Sequence, residues 1–147
     1  MKVGLIISTY NWTEALYQVL NSVKDQSHLP EEVVICDDGS RSNSKNLIMR
    51  LQQNFPCNLK YVWQEDIGFR AAAIRNKGIK ELSSTIDYVV IIDGDMILHN
   101  KFIADHIRIA EKNCFIQGGR ALISKDMTIK LLNHWDLRHN FHFFSQG

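Results

Sequence analysis

Apolar positions along the chain follow two alternating rhythms. Four short runs, Val3-Gly4-Leu5-Ile6-Ile7-Ser8, Val33-Val34-Ile35-Cys36, Leu59-Lys60-Tyr61-Val62-Trp63 and Tyr88-Val89-Val90-Ile91-Ile92, read as buried strands. Between and after them apolar residues recur every three or four positions. Leu16, Val19, Leu20 and Val23 form one helical face, and Leu47, Ile48, Leu51 and Phe55 a second, closed by Pro56. Ala71, Ile74, Gly78 and Leu82 form a third, and Phe102, Ile103, His106, Ile107 and Ala110 a fourth. Asn11-Trp12-Thr13-Glu14 has the spacing of a capping box with Asn11 as N-cap. The Tyr88–Ile92 run is the most hydrophobic, which predicts a central strand. Cys114–Gln117 and Ala121–Ile123 predict one more strand, interrupted at Gly118-Gly119. Strands and helices alternating at this spacing imply a mostly parallel α/β sheet. No internal repeat, low-complexity tract or linker divides the chain, so residues 1–147 read as one domain.

Composition narrows the partners. Hydrophobic residues are 45% and charged residues 22% of 147, the values of an ordinary globular chain. Seventeen basic against sixteen acidic side chains leave +1, without the basic excess of a nucleic-acid binder. No apolar run approaches the roughly 20 residues that cross a bilayer, and the N-terminus is a poor signal peptide. Cys36, Cys57 and Cys114 are odd in number and form no Cys-x-x-Cys pair, so they read as buried free thiols in a reducing cytoplasm.

In open α/β sheets, ligands sit beyond the carboxyl ends of the strands. After the first strand stands Thr9-Tyr10-Asn11, with no Gly-x-Gly-x-x-Gly turn, and no phosphate loop of the Gly-x-x-x-x-Gly-Lys type occurs anywhere. The strand ends carry acid instead: Asp37-Asp38-Gly39-Ser40 after the second, Asp93-Gly94-Asp95 after the fourth. Carboxylates at i and i+2 across a glycine can aim at one Mg²⁺ or Mn²⁺ and leave positions for phosphate oxygens. Asp-Gly is equally a common turn dipeptide. Asp37 and Asp38 read either as a turn, with Ser40 or Ser42 capping the next helix, or as acceptors for a base or ribose. Gly68-Phe69-Arg70-Ala71-Ala72-Ala73-Ile74-Arg75-Asn76-Lys77-Gly78 opens a helix with small residues, then offers Arg75, a side chain suited to phosphate. A tightly packed helix with a solvated Arg-Asn-Lys face is the other reading.

Ser8-Thr9-Tyr10-Asn11, Asp37-Asp38-Gly39-Ser40, the Gly68–Gly78 segment and Ile92-Asp93-Gly94-Asp95 together resemble glycosyltransferase family 2, in that family's order and spacing, over roughly residues 3–123. The stretch from Gln64 to Asp95 looks especially like bacterial chondroitin-polymerase-type hexosaminyltransferases. The resemblance implies the GT-A fold, a Rossmann-like sheet flanked by helices. It also implies inverting transfer from a UDP-sugar to the hydroxyl of a saccharide or glycolipid acceptor, with Mn²⁺ or Mg²⁺ as cofactor, in bacterial surface polysaccharide synthesis. It sets Thr9, with Tyr10 beside it, and Asp38 against uracil and ribose, and Arg75 and Asn76 along the nucleotide-sugar cleft. Asp93 and Asp95 match the metal-binding Asp-x-Asp, Asp95 being the more direct ligand and the catalytic residue, Asp93 nearer ribose and sugar.

One part of that pattern is missing. The family's general base lies well after the Asp-x-Asp, in a Trp-Gly-Gly-Glu-Asp-like segment. Here about fifty residues follow Asp95 and none forms that segment. Asp105, Glu111, Asp126 and Asp136 are the acids that remain, and spacing favours none. The chain therefore reads as the nucleotide-binding part of the fold, truncated in its acceptor half: a fragment, a short gene product, or a half completed by another chain or an oligomer. A UDP-sugar-binding module without transfer is the alternative function. The tail, 124–147, holds His134-Trp135-Asp136-Leu137-Arg138-His139-Asn140-Phe141-His142-Phe143-Phe144, whose histidines offer a metal ligand and whose aromatics offer a sheet or membrane-surface contact. The expected place is the cytoplasm, the inner face of the membrane included. A phospho-acceptor receiver domain would need an acidic pair after the first strand, and a sugar-nucleotide pyrophosphorylase a glycine-rich basic loop there; Thr9-Tyr10-Asn11 is neither.

Overall fold

A computed structural model describes residues 1–134. The order is β1 (Val3–Thr9), α1 (Thr13–Lys24), β2 (Glu32–Asp37), α2 (Ser42–Gln52), β3 (Asn58–Trp63), α3 (Ala71–Glu81), β4 (Tyr88–Asp93), α4 (Phe102–Ile109) and α5 (Lys125–Asn133). All strand pairings are parallel and the sheet order is β3-β2-β1-β4. Alternate residues of β1 face opposite layers. Val3, Leu5 and Ile7 join Leu16, Val19 and Leu20 of α1, Leu47 and Ile48 of α2 and Ile103 of α4 in the larger core. Ile6 packs with Val34, Cys36 and Ile74 of α3 in the smaller one. Burial on both faces is why β1 and β2 read as continuous apolar runs.

Helix α3 can lie so close to the sheet because Gly78 has no side chain. A Cβ there would stand 2.1 Å from the Cys36 sulfur. That contact brings the first turns of α3, and with them Arg75, up to the ends of β1 and β4.

Four expectations are corrected. The strand Tyr88–Asp93 is not central: among the described residues it ends the sheet beyond β1. Its Val89 and Ile91 stay 38% and 46% exposed, because α3 lies over β1, β2 and β3 and meets β4 at its Asp93 end. Apolar character alone does not tell a covered face from an open one. Residues 114–123 form no strand; among the described residues no strand lies along the outer edge of β4 to pair with them, and Phe115 and Leu122 stand almost fully exposed. Asn11 is not the cap of α1; Trp12 holds that position without a side-chain cap. Asn11 adopts a left-handed backbone (φ 47°), accepts from the Arg41 N–H (3.1 Å) and donates its own N–H to Ser40 Oγ (2.8 Å). Its side chain ties two strand-end loops together, a competing use of the same short amide. Ser40 and Ser42 likewise do not cap α2, whose N-cap is Arg41.

Candidate nucleotide-sugar site

At the carboxyl ends of β1, β2 and β4 lies a cavity of about 520 Å³. The end of β1 supplies Ser8, Thr9 and Tyr10. The loop after β2 supplies Asp38, the loop into α3 supplies Asp66, Gly68 and Phe69, α3 supplies Arg75, and the end of β4 supplies Asp93 and Asp95. Four segments far apart in sequence meet because parallel strands deliver all their chain ends to one edge.

The β2 side of the cavity is built on buried carboxylates whose oxygens are hydrogen-bonded. Asp37 is fully buried; its two oxygens accept from the Ser40 N–H and the Tyr61 hydroxyl, each at 2.7 Å. It is a structural residue. Burial, then the neighbouring Asp37 carboxylate, push the Tyr61 hydroxyl far above its ordinary pKa. Asp38, 7% exposed, accepts from Gln64 Nε2 and from the Arg70 N–H (2.8 Å) and so pins the loop into α3. Gly39 makes the approach possible: its φ is +102°, and a Cβ would lie 2.7 Å from the Asp66 Cα. Tyr10 donates to Asp66 Oδ2 at 2.9 Å, a bond that raises the Tyr10 pKa.

The β4 side is exposed and charged. Arg75 Nη2 donates to Asp93 Oδ1 at 2.6 Å and also, with Nε, to Ser8 Oγ at 3.0 and 3.3 Å. Ser8 Oγ donates to the same Asp93 oxygen at 3.1 Å. The second Asp93 oxygen faces Arg120 at 3.8 Å. Gly94 sits against β1: its N–H donates to the Ser8 carbonyl at 2.7 Å, and a Cβ would lie 2.9 Å from that oxygen. Met96 N–H closes a turn onto the Asp93 carbonyl (3.2 Å), so the turn reading of Asp93-Gly94-Asp95 is right. The turn also aims Asp95 at the cavity, exposed and without a protein partner among the described residues.

A divalent cation fits this donor set. Asp95 is a hard oxygen donor with no competing bond, and Asp93 stands next to it across Gly94. No third His, Cys, Asp or Glu joins them among the described residues, so a cation here would draw its other ligands from phosphate and water, the habit of Mg²⁺ and Mn²⁺.

Of the residues singled out from sequence, Thr9, Tyr10, Asp38, Arg75, Asp93 and Asp95 meet in the cavity. Asn76 is exposed on α3 and lines none of it. Neither do Asp105, ion-paired to Arg108 on α4 (3.2 Å), Glu111 or Asp126. His134 is exposed at the end of α5, and Asp136, His139, His142 and the tail aromatics lie outside the described residues. Sequence reasoning missed Asp66, Gln64 and Arg120. Gln64 and Asp66 precede the glycine of the Gly68 segment, the only hint available, and Arg120 gave no local signal. The three thiols are free, as read, but only Cys36 is buried; Cys57 is half-buried and Cys114 exposed. Burial pushes Cys36 up to about 12 and Cys57 to about 11, so neither offers a nucleophile. No described helix is long and apolar enough to cross a membrane.

Comparison with known proteins follows the same lines. The family model described as "Glycosyl transferase family 2" matches residues 5–146. An uncharacterised glycosyltransferase of Nostoc sp. is 38% identical over 95 residues, 65% of this chain and 28% of that protein. A chondroitin synthase of Pasteurella multocida is 35% identical over 95 residues, 64% of this chain and 9% of that protein. The crystal structure of S. aureus TarS 1–349 in complex with UDP-GlcNAc superposes with a TM-score of 0.63 at 26% identity, over 74% of this chain and 30% of that one. The chain thus spans less than a third of each of these proteins.

Proposed function

The chain belongs to glycosyl transferase family 2, with the parallel α/β architecture of GT-A enzymes, and from that premise we propose that its cavity holds a UDP-sugar for inverting transfer to a saccharide hydroxyl. One observation carries the reading: Asp38, Arg75 and the Asp93/Asp95 pair, from three separate segments, line a single cavity at the strand ends. The UDP-GlcNAc complex of TarS and the chondroitin synthase among the relatives support a uridine donor and a polysaccharide product.

In this reading Thr9 and Asp38 take the nucleoside side, where Asp38 already fixes the loop that would close over a base. Arg75, held by Ser8 and Asp93, presents its charge to the phosphates. Asp95, with Asp93, holds the Mg²⁺ or Mn²⁺; when bound, the cation offsets the negative charge that develops as the diphosphate departs. Charge fixed in place before the reaction is the largest catalytic term available to such a site. The acceptor oxygen bonds to the anomeric carbon, the bond to UDP breaks, and the acceptor proton must pass to a base.

The need for a base favours a second reading. Among the described residues every other lining carboxylate is engaged: Asp38 by Gln64 and Arg70, Asp66 by Tyr10, Asp93 by Arg75. That leaves donor binding without transfer as the alternative. Titration calorimetry with UDP and UDP-sugars, with and without Mn²⁺, tests the common core, for which metal-dependent UDP binding is expected. A preference for adenine nucleotides, or binding indifferent to chelation, sinks it. Donor hydrolysis or sugar transfer in Mn²⁺, lost in Asp95→Ala, then separates enzyme from binding module.

A further inference from the structure

The cavity's charge does not balance for the ligand just proposed. Four carboxylates, Asp38, Asp66, Asp93 and Asp95, line it against one arginine, Arg75. Arg75 already commits Nε and Nη2 to Asp93 and Ser8, with a side chain 35% exposed, so it meets a diphosphate with only part of its donor set. Even with a divalent cation at Asp93 and Asp95 the lining stays net negative, so a diphosphate brought here gains from a further cation of the protein.

Arg120 is placed to be that cation. It follows Gly118-Gly119 in the segment after β4 and α4, and its Nη1 lies 3.8 Å from Asp93 Oδ2, on the oxygen turned away from Arg75. The pair is too long for a hydrogen bond and its side chain is 69% exposed, so exchanging Asp93 for another anion costs little. Backbone crowding does not hinder the approach: a Cβ on Gly118 or Gly119 would meet nothing within 4 Å. A guanidinium also matches phosphate with two parallel hydrogen bonds.

Resting on the proposed UDP-sugar reading, we infer that Arg120 is a binding residue for the diphosphate, reached from Asp93 by a short swing. Its position decides which phosphate. In the sheet order β2-β1-β4, Asp38 and Asp93 stand on opposite sides of β1. With the nucleoside at Asp38, Arg120 meets the phosphate remote from it, the one whose oxygen bears the sugar and keeps the electron pair, as part of UDP, when that bond breaks.

The test compares UDP with UMP, which lacks that phosphate, by calorimetry in saturating Mn²⁺ on the full chain. Arg120→Ala should weaken UDP about tenfold and leave UMP within about twofold. Arg120→Lys should recover part of the loss, and both variants should keep the wild-type thermal midpoint because the residue is exposed. Equal losses for both nucleotides, or an unchanged UDP affinity, overturn the assignment while the cavity reading stands. A wild-type chain that binds neither nucleotide overturns the reading beneath it instead.

Discussion

The two sides of the cavity are made differently. On the β2 side Asp38 is buried and bonded to Gln64 and to the Arg70 backbone, and Gly39 lets the next loop rest on it. On the β4 side Asp93 and Asp95 stand in solvent, one between two arginines and the other without a partner among the described residues. The first is part of the fold before any ligand arrives. The second carries charges whose partners are exchangeable. Shape recognition belongs with the rigid side and charge neutralisation with the exposed one, because a buried carboxylate already satisfied by donors gains nothing from a new counter-ion.

Substitutions can pull the two apart. The largest functional effect falls on the exposed side: Asp95→Ala should lower UDP affinity in Mn²⁺ about a hundredfold, to the level seen with chelator, while a thermal melt stays where it was. Asp38→Ala should do the opposite in kind. It strands the Gln64 amide and the Arg70 N–H, so denaturant titration should register a loss of about 1–3 kcal/mol along with weaker binding. If Asp38→Ala leaves stability intact, the contrast between the sides disappears. Tyr10→Phe removes only an exposed hydroxyl bonded to Asp66, and a change in UDP affinity under about threefold is expected.

The smallest effect is a control remote from both sides. His106, on α4, meets the Tyr88 hydroxyl at 3.0 Å and the Phe102 ring edge-on. Burial holds its pKa below the ordinary histidine value, an effect partly opposed by Asp105. The unfolded chain therefore takes up a proton first. Stability should decline as pH drops below about 6.5 and level off once the folded imidazole is itself protonated. His106→Asn should flatten that slope in melts across pH, with UDP affinity untouched at neutral pH.

The sequence made the periodic and local features legible. Alternating apolar rhythms gave the order of strands and helices from β1 to α4, and acid at strand ends gave most of the cavity. What failed depended on neighbours. Strand β4 reads as central because its Tyr88–Ile92 run is apolar throughout, yet which strand flanks it is a matter of distant pairing. Residues 114–123 have strand composition and find no partner strand among the described residues. Asn76 follows Arg75 directly but points elsewhere on the helix, since adjacent helical residues are about 100° apart. Arg120 reaches Asp93 across 27 positions of chain, a distance no spacing rule spans.

The fit of Gly78 against the Cys36 sulfur has a practical result. With backbone on one side and core on the others, that thiol is closed to any alkylating reagent until α3 lifts from the sheet, whereas Cys114 is open throughout. The chain thus contains its own stopwatch: the delay between the first and last label counted by mass spectrometry reports how often α3 lets go.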